Sequence, residues 1–222
     1  KHVDPAVSSG GSADFTDLDL LTNEGKRAYR DISDNFIRQR DPNAVVSGDM
    51  LANSAERAYR QYRKYVPPEL ALAQLTLEGG IGSSSNSRPR RTNNPFNVGN
   101  TETGSKTFPT VEAGVDAYYD LLARRYLVRG KTASDLVNDF KNEDGNNYAT
   151  AGTYEVGLKN LISSIRKRNQ SVYASLSQTK TESLNESLLL EADKRQAIIN
   201  TFGFSEDWVN EFHGLNKKLS IW

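Results

Sequence analysis

One stretch constrains the fold more than any other: Pro67-Pro68-Glu69-Leu70-Ala71-Leu72-Ala73-Gln74-Leu75-Thr76-Leu77-Glu78-Gly79-Gly80. Proline is tolerated in the first turn of a helix, so Pro67-Pro68 ends one helix and opens the next. Leu70, Ala71, Leu72, Ala73, Leu75 and Leu77 then cover the helix nearly all round. Such a helix has no face to give to water and is buried rather than superficial. Glu78 is its last side chain before the two glycines. There it meets the negative end of the helix dipole and an apolar neighbourhood, and both favour its protonated form.

The flanking sequence is also helical in pattern, so the chain reads as mainly α. Residues 16–39 predict a first helix with Leu18, Leu21, Ala28, Ile32 and Ile37 among its apolar positions. Ser47 is the N-cap of a second, running to about residue 65. Arg-Ala-Tyr-Arg occurs at 27–30 and again at 57–60, a coincidence on two amphipathic helices rather than a repeat. Residues 79–110 carry Gly, Ser, Asn, Thr and Pro without a helical period, and long irregular segments of this kind tend to be functional or disordered. Within them, 98–108 predicts a small hairpin turning at Thr103-Gly104. Thr110 caps a helix bearing Val111, Val115, Tyr118, Leu122 and Tyr126. Next come a short helix near 134–142, a turn at Glu143-Asp144-Gly145-Asn146-Asn147 and a long helix over 151–175.

Both ends differ from this middle. Residues 1–14 are small and polar, with Ser8-Ser9-Gly10-Gly11-Ser12, and read as a flexible arm. The first residue is Lys1, not Met, which reads as a processed or excerpted chain. After Ser177 a charged helix over 181–200 carries Leu184, Leu188, Leu189 and Ile198. Another starts at Ser205 with Trp208, Phe212, Leu215, Leu219 and Trp222 on one side. That stripe calls for a surface to pack on: the domain, another copy, or further sequence.

Composition removes several function classes. Hydrophobic residues make up 36% and charged residues 25% of 222, a polar globular protein with room for one real core. Lys+Arg and Asp+Glu both number 28, so the basic domain expected of a nucleic-acid binder is missing. The lack of cysteine excludes disulfides, thiolate metal sites and cysteine nucleophiles. The two histidines, His2 and His213, lie near opposite termini, so neither a histidine triad nor a histidine-rich metal site is expected, and no cofactor is called for. No run of about eighteen apolar residues is present to make a membrane span.

Four motifs remain to be explained together. They are Leu77-Glu78-Gly79-Gly80-Ile81-Gly82-Ser83, Asn93-Asn94-Pro95-Phe96-Asn97-Val98, Phe108-Pro109-Thr110-Val111-Glu112-Ala113-Gly114-Val115-Asp116-Ala117-Tyr118, and Asn147-Tyr148-Ala149-Thr150 with Tyr154 six residues after Tyr148. In this order they resemble the bacterial and phage glucosaminidase family, whose members share a goose-lysozyme-like helical fold with lytic transglycosylases. The resemblance spans residues 69–165. It implies a lysozyme-like helical domain with a small β-hairpin lobe over 15–176, the flexible arm before it, and helical extensions including 177–222.

The resemblance implies Glu78 as the general acid that protonates the leaving oxygen of a glycosidic bond. It implies Tyr148 as a cleft tyrosine beside that acid. Glu102, in the hairpin, either activates water or is a surface residue; in the second case the substrate's own acetamido group or 6-hydroxyl serves as nucleophile. Asn93, Asn94, Phe96 and Asn97 form the expected glycan-binding turn. The amides can face sugar carbonyls or make ordinary turn contacts, and Phe96 reads as a plug beneath the loop. Glu112 and Asp116 are placed for the helix dipole alone. Ser87-Arg88-Pro89-Arg90-Arg91 is a basic loop that either grips anionic wall polymer or is simply solvated.

The sequence departs from the family pattern at three places. Ile81 stands where an aromatic is common, and Pro95 and Asn97 replace the more usual Leu and Gly. What the resemblance implies overall is cleavage of peptidoglycan glycan strands between GlcNAc and MurNAc. Alternatives are anhydro-sugar formation by a lytic transglycosylase, or a silent glycan-binding module. The expected setting is a phage virion or tail, or a bacterial cell envelope, with assembly or self-association through the C-terminal helices and no nucleic-acid partner.

Overall fold

The computed structural model describes residues 15–82, 84, 87–100, 104–149 and 153–202. The chain divides into two compact units, Lys1–Val172 and Tyr173–Trp222. The described residues are mainly helical: α1 Asn23–Arg40, α2 Gly48–Tyr62, α3 Pro68–Leu77, α4 Arg88–Thr92, α5 Val111–Leu121, α6 Ala133–Asn138, α7 Tyr154–Arg168 and α8 Gln170–Phe202. A π-helical turn, Leu122–Tyr126, extends α5. No described helix is long and apolar enough to cross a membrane.

α3 is the buried helix its sequence demands. Pro68 opens it, and every residue from Pro68 to Leu75 is buried. α1, α2 and α7 pack against it, and α5 packs on α2. Ser47 caps α2 by accepting from the Met50 amide at 3.3 Å, and Thr110 caps α5 by accepting from Ala113 at 3.1 Å. The two Arg-Ala-Tyr-Arg copies lead different lives. Tyr29 is wholly buried, its hydroxyl bonded to the Val66 carbonyl and to the Tyr119 hydroxyl, whereas Tyr59 is half-exposed.

Three expectations are corrected. The first helix begins at Asn23, not residue 16, because Thr22 caps it and accepts from the Gly25 amide at 3.0 Å. The preceding residues instead strap the start of α3: Thr16 donates to Glu69 Oε1 at 2.9 Å, and Tyr65 donates to the Thr16 carbonyl at 2.6 Å. α2 stops at Tyr62, where Arg63 turns left-handed at φ 55°. The helix expected over 151–175 is two, α7 and α8, separated at Asn169. That buried side chain folds back onto the Ile165 carbonyl at 3.2 Å and accepts from Asn35 of α1 at 2.7 Å.

The expected hairpin over 98–108 shows no strand in its described flanks, apart from one bridge residue at Gly104. Residues 101–103, with Glu102 and the first residue of the expected turn, lie outside the described residues, as do the arm 1–14 and the helix expected from Ser205. The described bridge that pairs two named residues joins Lys141 to Asn147 across the turn 143–146.

Candidate active site

The site begins where α3 ends. Glu78 comes directly after its last residue, and its amide still donates to the Gln74 carbonyl at 2.9 Å. Gly79 then turns left-handed at φ +68°, and Gly80 passes so close to the Pro95 carbonyl that a Cβ would sit 2.4 Å from it. Glycine takes both positions without steric cost. The close pass brings the 93–97 turn against Glu78.

Arg88 of α4 closes this neck from inside. Its guanidinium donates to the carbonyls of Glu78 and Asn94 and, at 3.4 Å, of Pro95. Burial holds the Arg88 guanidinium below its usual range, and the Glu78 charge opposes that shift. At the loop base Ser87 donates to the Gly82 carbonyl at 3.2 Å.

The expected glycan-binding turn separates into parts. Asn93 is left-handed (φ 52°) and its amide donates to the carbonyls of Phe108 and Pro109 at 2.9 and 3.1 Å. Asn94 is wholly buried; its nitrogen serves Val98 O, Asn100 Oδ1 and Lys106 O, and its oxygen accepts from the Val98 amide. Phe96 is wholly buried and stacked on Tyr118, with centroids 3.7 Å apart and planes 7° from parallel. Asn94 and Phe96 face the protein, where a buried amide must be satisfied from within, and the loop backbone with Asn100 satisfies it; Asn93 is half-buried with its nitrogen turned to the loop carbonyls. Asn97 alone reaches the acid, donating from Nδ2 to Glu78 Oε2 at 2.9 Å.

α5 is pressed on this turn at Gly114, whose Cβ would lie 1.9 Å from the Asn93 carbonyl. Gly114→Ala is expected to destabilise the fold by about 1–3 kcal/mol, the usual range for overpacking. Urea unfolding of variant and wild type measures it, and an unchanged midpoint would contradict the close approach.

Glu78 is half-buried, beside the part-exposed Leu77. Burial raises its carboxyl above the usual range; the Asn97 hydrogen bond, the Arg88 charge and the Tyr154 hydroxyl pull the other way, and burial wins. The folded protein therefore binds this proton more tightly than the unfolded chain does. That contribution to stability is complete below the unfolded value of about 4.3 and is lost as pH rises through the folded value. Glu78→Gln removes the titration. The variant should therefore gain stability relative to wild type as pH rises from about 4, measured by urea unfolding across that range. A constant difference would show that the carboxyl is not raised.

Behind the acid lies a polar thread through the core. Tyr118 donates to Gln74 Oε1 at 2.7 Å, and Gln74 Nε2 donates to the Tyr154 hydroxyl at 3.0 Å. Tyr148 donates to the Phe96 carbonyl at 3.3 Å, and its ring meets those of Tyr126, Phe140 and Tyr154. Burial pushes the Tyr148 phenol up, and the neighbouring Glu78 charge adds to the shift. Glu78, Asn97, Tyr148 and Tyr154 thus converge.

Sequence reasoning misses Gln74 and Arg88 as parts of this site and marks Tyr154 only by its spacing. Gln74 carries a signal, as the one amide in a helix of mostly leucine and alanine. Arg88 carries none that separates it from Arg90 and Arg91. A cavity of about 520 Å³, lined by Arg63, Tyr65, Pro67, Leu127 and Lys131 among others, opens at the start of α3. Ten residues of helix, roughly 15 Å, separate it from the acid.

A family model described as "Glucosaminidase: Mannosyl-glycoprotein endo-beta-N-acetylglucosaminidase" matches residues 52–167, just over half of the chain. No curated protein and no solved structure matches it. The matched span includes every residue of the convergence around Glu78.

Proposed function

The chain belongs to the glucosaminidase family, and from that premise we propose that it cleaves the glycan strand of peptidoglycan between GlcNAc and MurNAc, with Glu78 as general acid. The observation that carries this reading is a carboxyl held partly out of water at the end of a buried helix, raised by burial yet contacted by Asn97.

Bond cleavage at an acetal carbon needs a proton on the departing oxygen as positive charge develops on the sugar ring. Glu78 gives that proton, and the C1–oxygen bond breaks with its electron pair leaving on the oxygen. The carboxylate that remains is the charged form that Asn97, Arg88 and Tyr154 favour. A group already in place for the charge that forms lowers the barrier without reorganising. Tyr148 and Tyr154 form the wall behind the acid. Water completes the hydrolysis at C1, activated by Glu102 or admitted after the substrate's own acetamido oxygen has closed on C1.

Mass spectrometry of purified peptidoglycan digested with the full chain tests the reading. Reducing GlcNAc or MurNAc ends identify the bond. Ends lighter by one water identify the transglycosylase reaction, in which the 6-hydroxyl replaces water. Strands that bind the protein and stay intact would leave only the silent module.

The same reading places the chain in a wall-penetrating assembly, a phage virion or tail or a bacterial cell envelope, where this substrate is met. Leu188, Leu189 and Leu190 on α8, 61%, 67% and 56% exposed, support assembly through the C-terminal helices. Sedimentation of the full chain as a monomer at every concentration would count against self-association.

A further inference from the structure

The Asn97 side chain raises a question of direction. A primary amide has two ends of nearly equal size, one donor and one acceptor. With its nitrogen toward Glu78 it supports the carboxylate; turned over, it sets an oxygen against it and favours the protonated acid. We propose that Asn100 is a positioning residue that fixes this amide with its nitrogen toward Glu78, through a relay of three asparagines anchored on backbone N–H groups. The proposal rests on the reading of Glu78 as the acid.

The anchors are unambiguous, because a backbone N–H can only donate. The Lys106 amide donates to Asn100 Oδ1 at 2.8 Å, so the Asn100 oxygen must face Lys106. The Val98 amide donates to Asn94 Oδ1 at 2.9 Å, which turns the Asn94 nitrogen toward Asn100 Oδ1 at 3.1 Å. Two donors therefore hold the Asn100 oxygen. Its nitrogen is left to donate to Asn97 Oδ1, and once that oxygen is engaged the Asn97 nitrogen faces Glu78 Oε2 at 2.9 Å. Each amide direction is set by the one before.

The backbone makes the same point. Asn97 is left-handed at φ 60°, a torsion glycine takes at no cost and asparagine tolerates. What asparagine adds here is its side chain, and that side chain bridges Asn100 and Glu78. The other groups that face the carboxyl are Arg88 from α4, Tyr118 from α5, Tyr154 from α7 and Tyr148 from the preceding turn. None of them belongs to the relay.

The test is an NMR titration of the Glu78 carboxyl in the full chain with carboxyl-labelled glutamate, the signal assigned by its loss in Glu78→Gln. Asn100→Asp has no side-chain N–H to give Asn97, so the Asn97 amide turns over. The Glu78 titration is expected to move to higher pH. The new negative charge alone also pushes it upward, so the substitution is repeated in an Asn97→Gly background, where only the charge acts. A larger shift with Asn97 present supports the relay; equal shifts in the two backgrounds overturn it. If Asn100→Asp does not fold, Asn100→Ala in the same pair serves: an upward shift with Asn97 and none without it supports the relay, and no difference overturns it. The titration needs no substrate, so its failure is distinct from a failure to digest peptidoglycan.

Discussion

Glu78→Gln is expected to lower the rate of peptidoglycan cleavage by about 10²–10⁴-fold, the range a general acid supplies, with binding to glycan strands retained. The substitution is nearly isosteric. Its amide oxygen can still accept from Asn97, so the turn at 93–97 keeps its contact. What is lost is the transferable proton, an interaction that matters only as the bond breaks. The loss therefore falls on kcat, with little change in KM. Release of soluble muropeptides gives the rate, and co-sedimentation with insoluble wall gives the binding. Undiminished cleavage would remove Glu78 from the chemistry; loss of binding and cleavage together would make it a structural residue of the loop.

The second large effect is on stability. Phe96→Ala is expected to cost about 3–5 kcal/mol, as for other buried aromatic truncations. The ring is fully buried against Tyr118, whose hydroxyl starts the thread to Gln74, and the Phe96 carbonyl accepts from Tyr148. A cavity here would loosen both tyrosines and the Asn97 next to it. Chemical denaturation measures the loss directly. The sequence admits another role for Phe96, as part of a sugar-binding surface. A weaker substrate affinity with unchanged stability would restore that role and refute the plug.

The legible part of the sequence rests on local physics. A helix with leucines and alanines nearly all round had to be buried, and α3 is, from Pro68 to Leu75. Ser47 and Thr110 are side chains that caps require, and they cap. Glu78 stands out because a lone acid at the end of such a helix has few bland explanations. The illegible part depends on partners far along the chain. The break at Asn169 has no proline or glycine to announce it; it is set by Asn35, on another helix. Leu18 is buried as the expected helix face would have it, but by a strap fastened to Glu69 and Tyr65, and Leu21 of that same expected face is exposed while Leu20 is buried.

The asparagines show the limit most clearly. Asn93, Asn94 and Asn97 are the same residue type within five positions, and spacing cannot tell them apart. Only the fold shows that the first two turn their nitrogens to the loop, Asn94 with one contact to Asn100, while the third meets Glu78. Arg88 is hidden for a related reason. Its partners are backbone carbonyls that come together only after the loop has closed.

The closure has an evolutionary side. Arg88 ties both ends of the neck, and Ser87 fastens the loop base to Gly82. Length changes between Gly82 and Ser87 are thereby insulated from the carboxyl. Each doubling of a flexible loop costs only about 0.6 kcal/mol in closure entropy. Insertions at this point are therefore expected to leave the contacts of the Glu78 carboxyl as they are, since Asn97 and Arg88 make them from outside the segment.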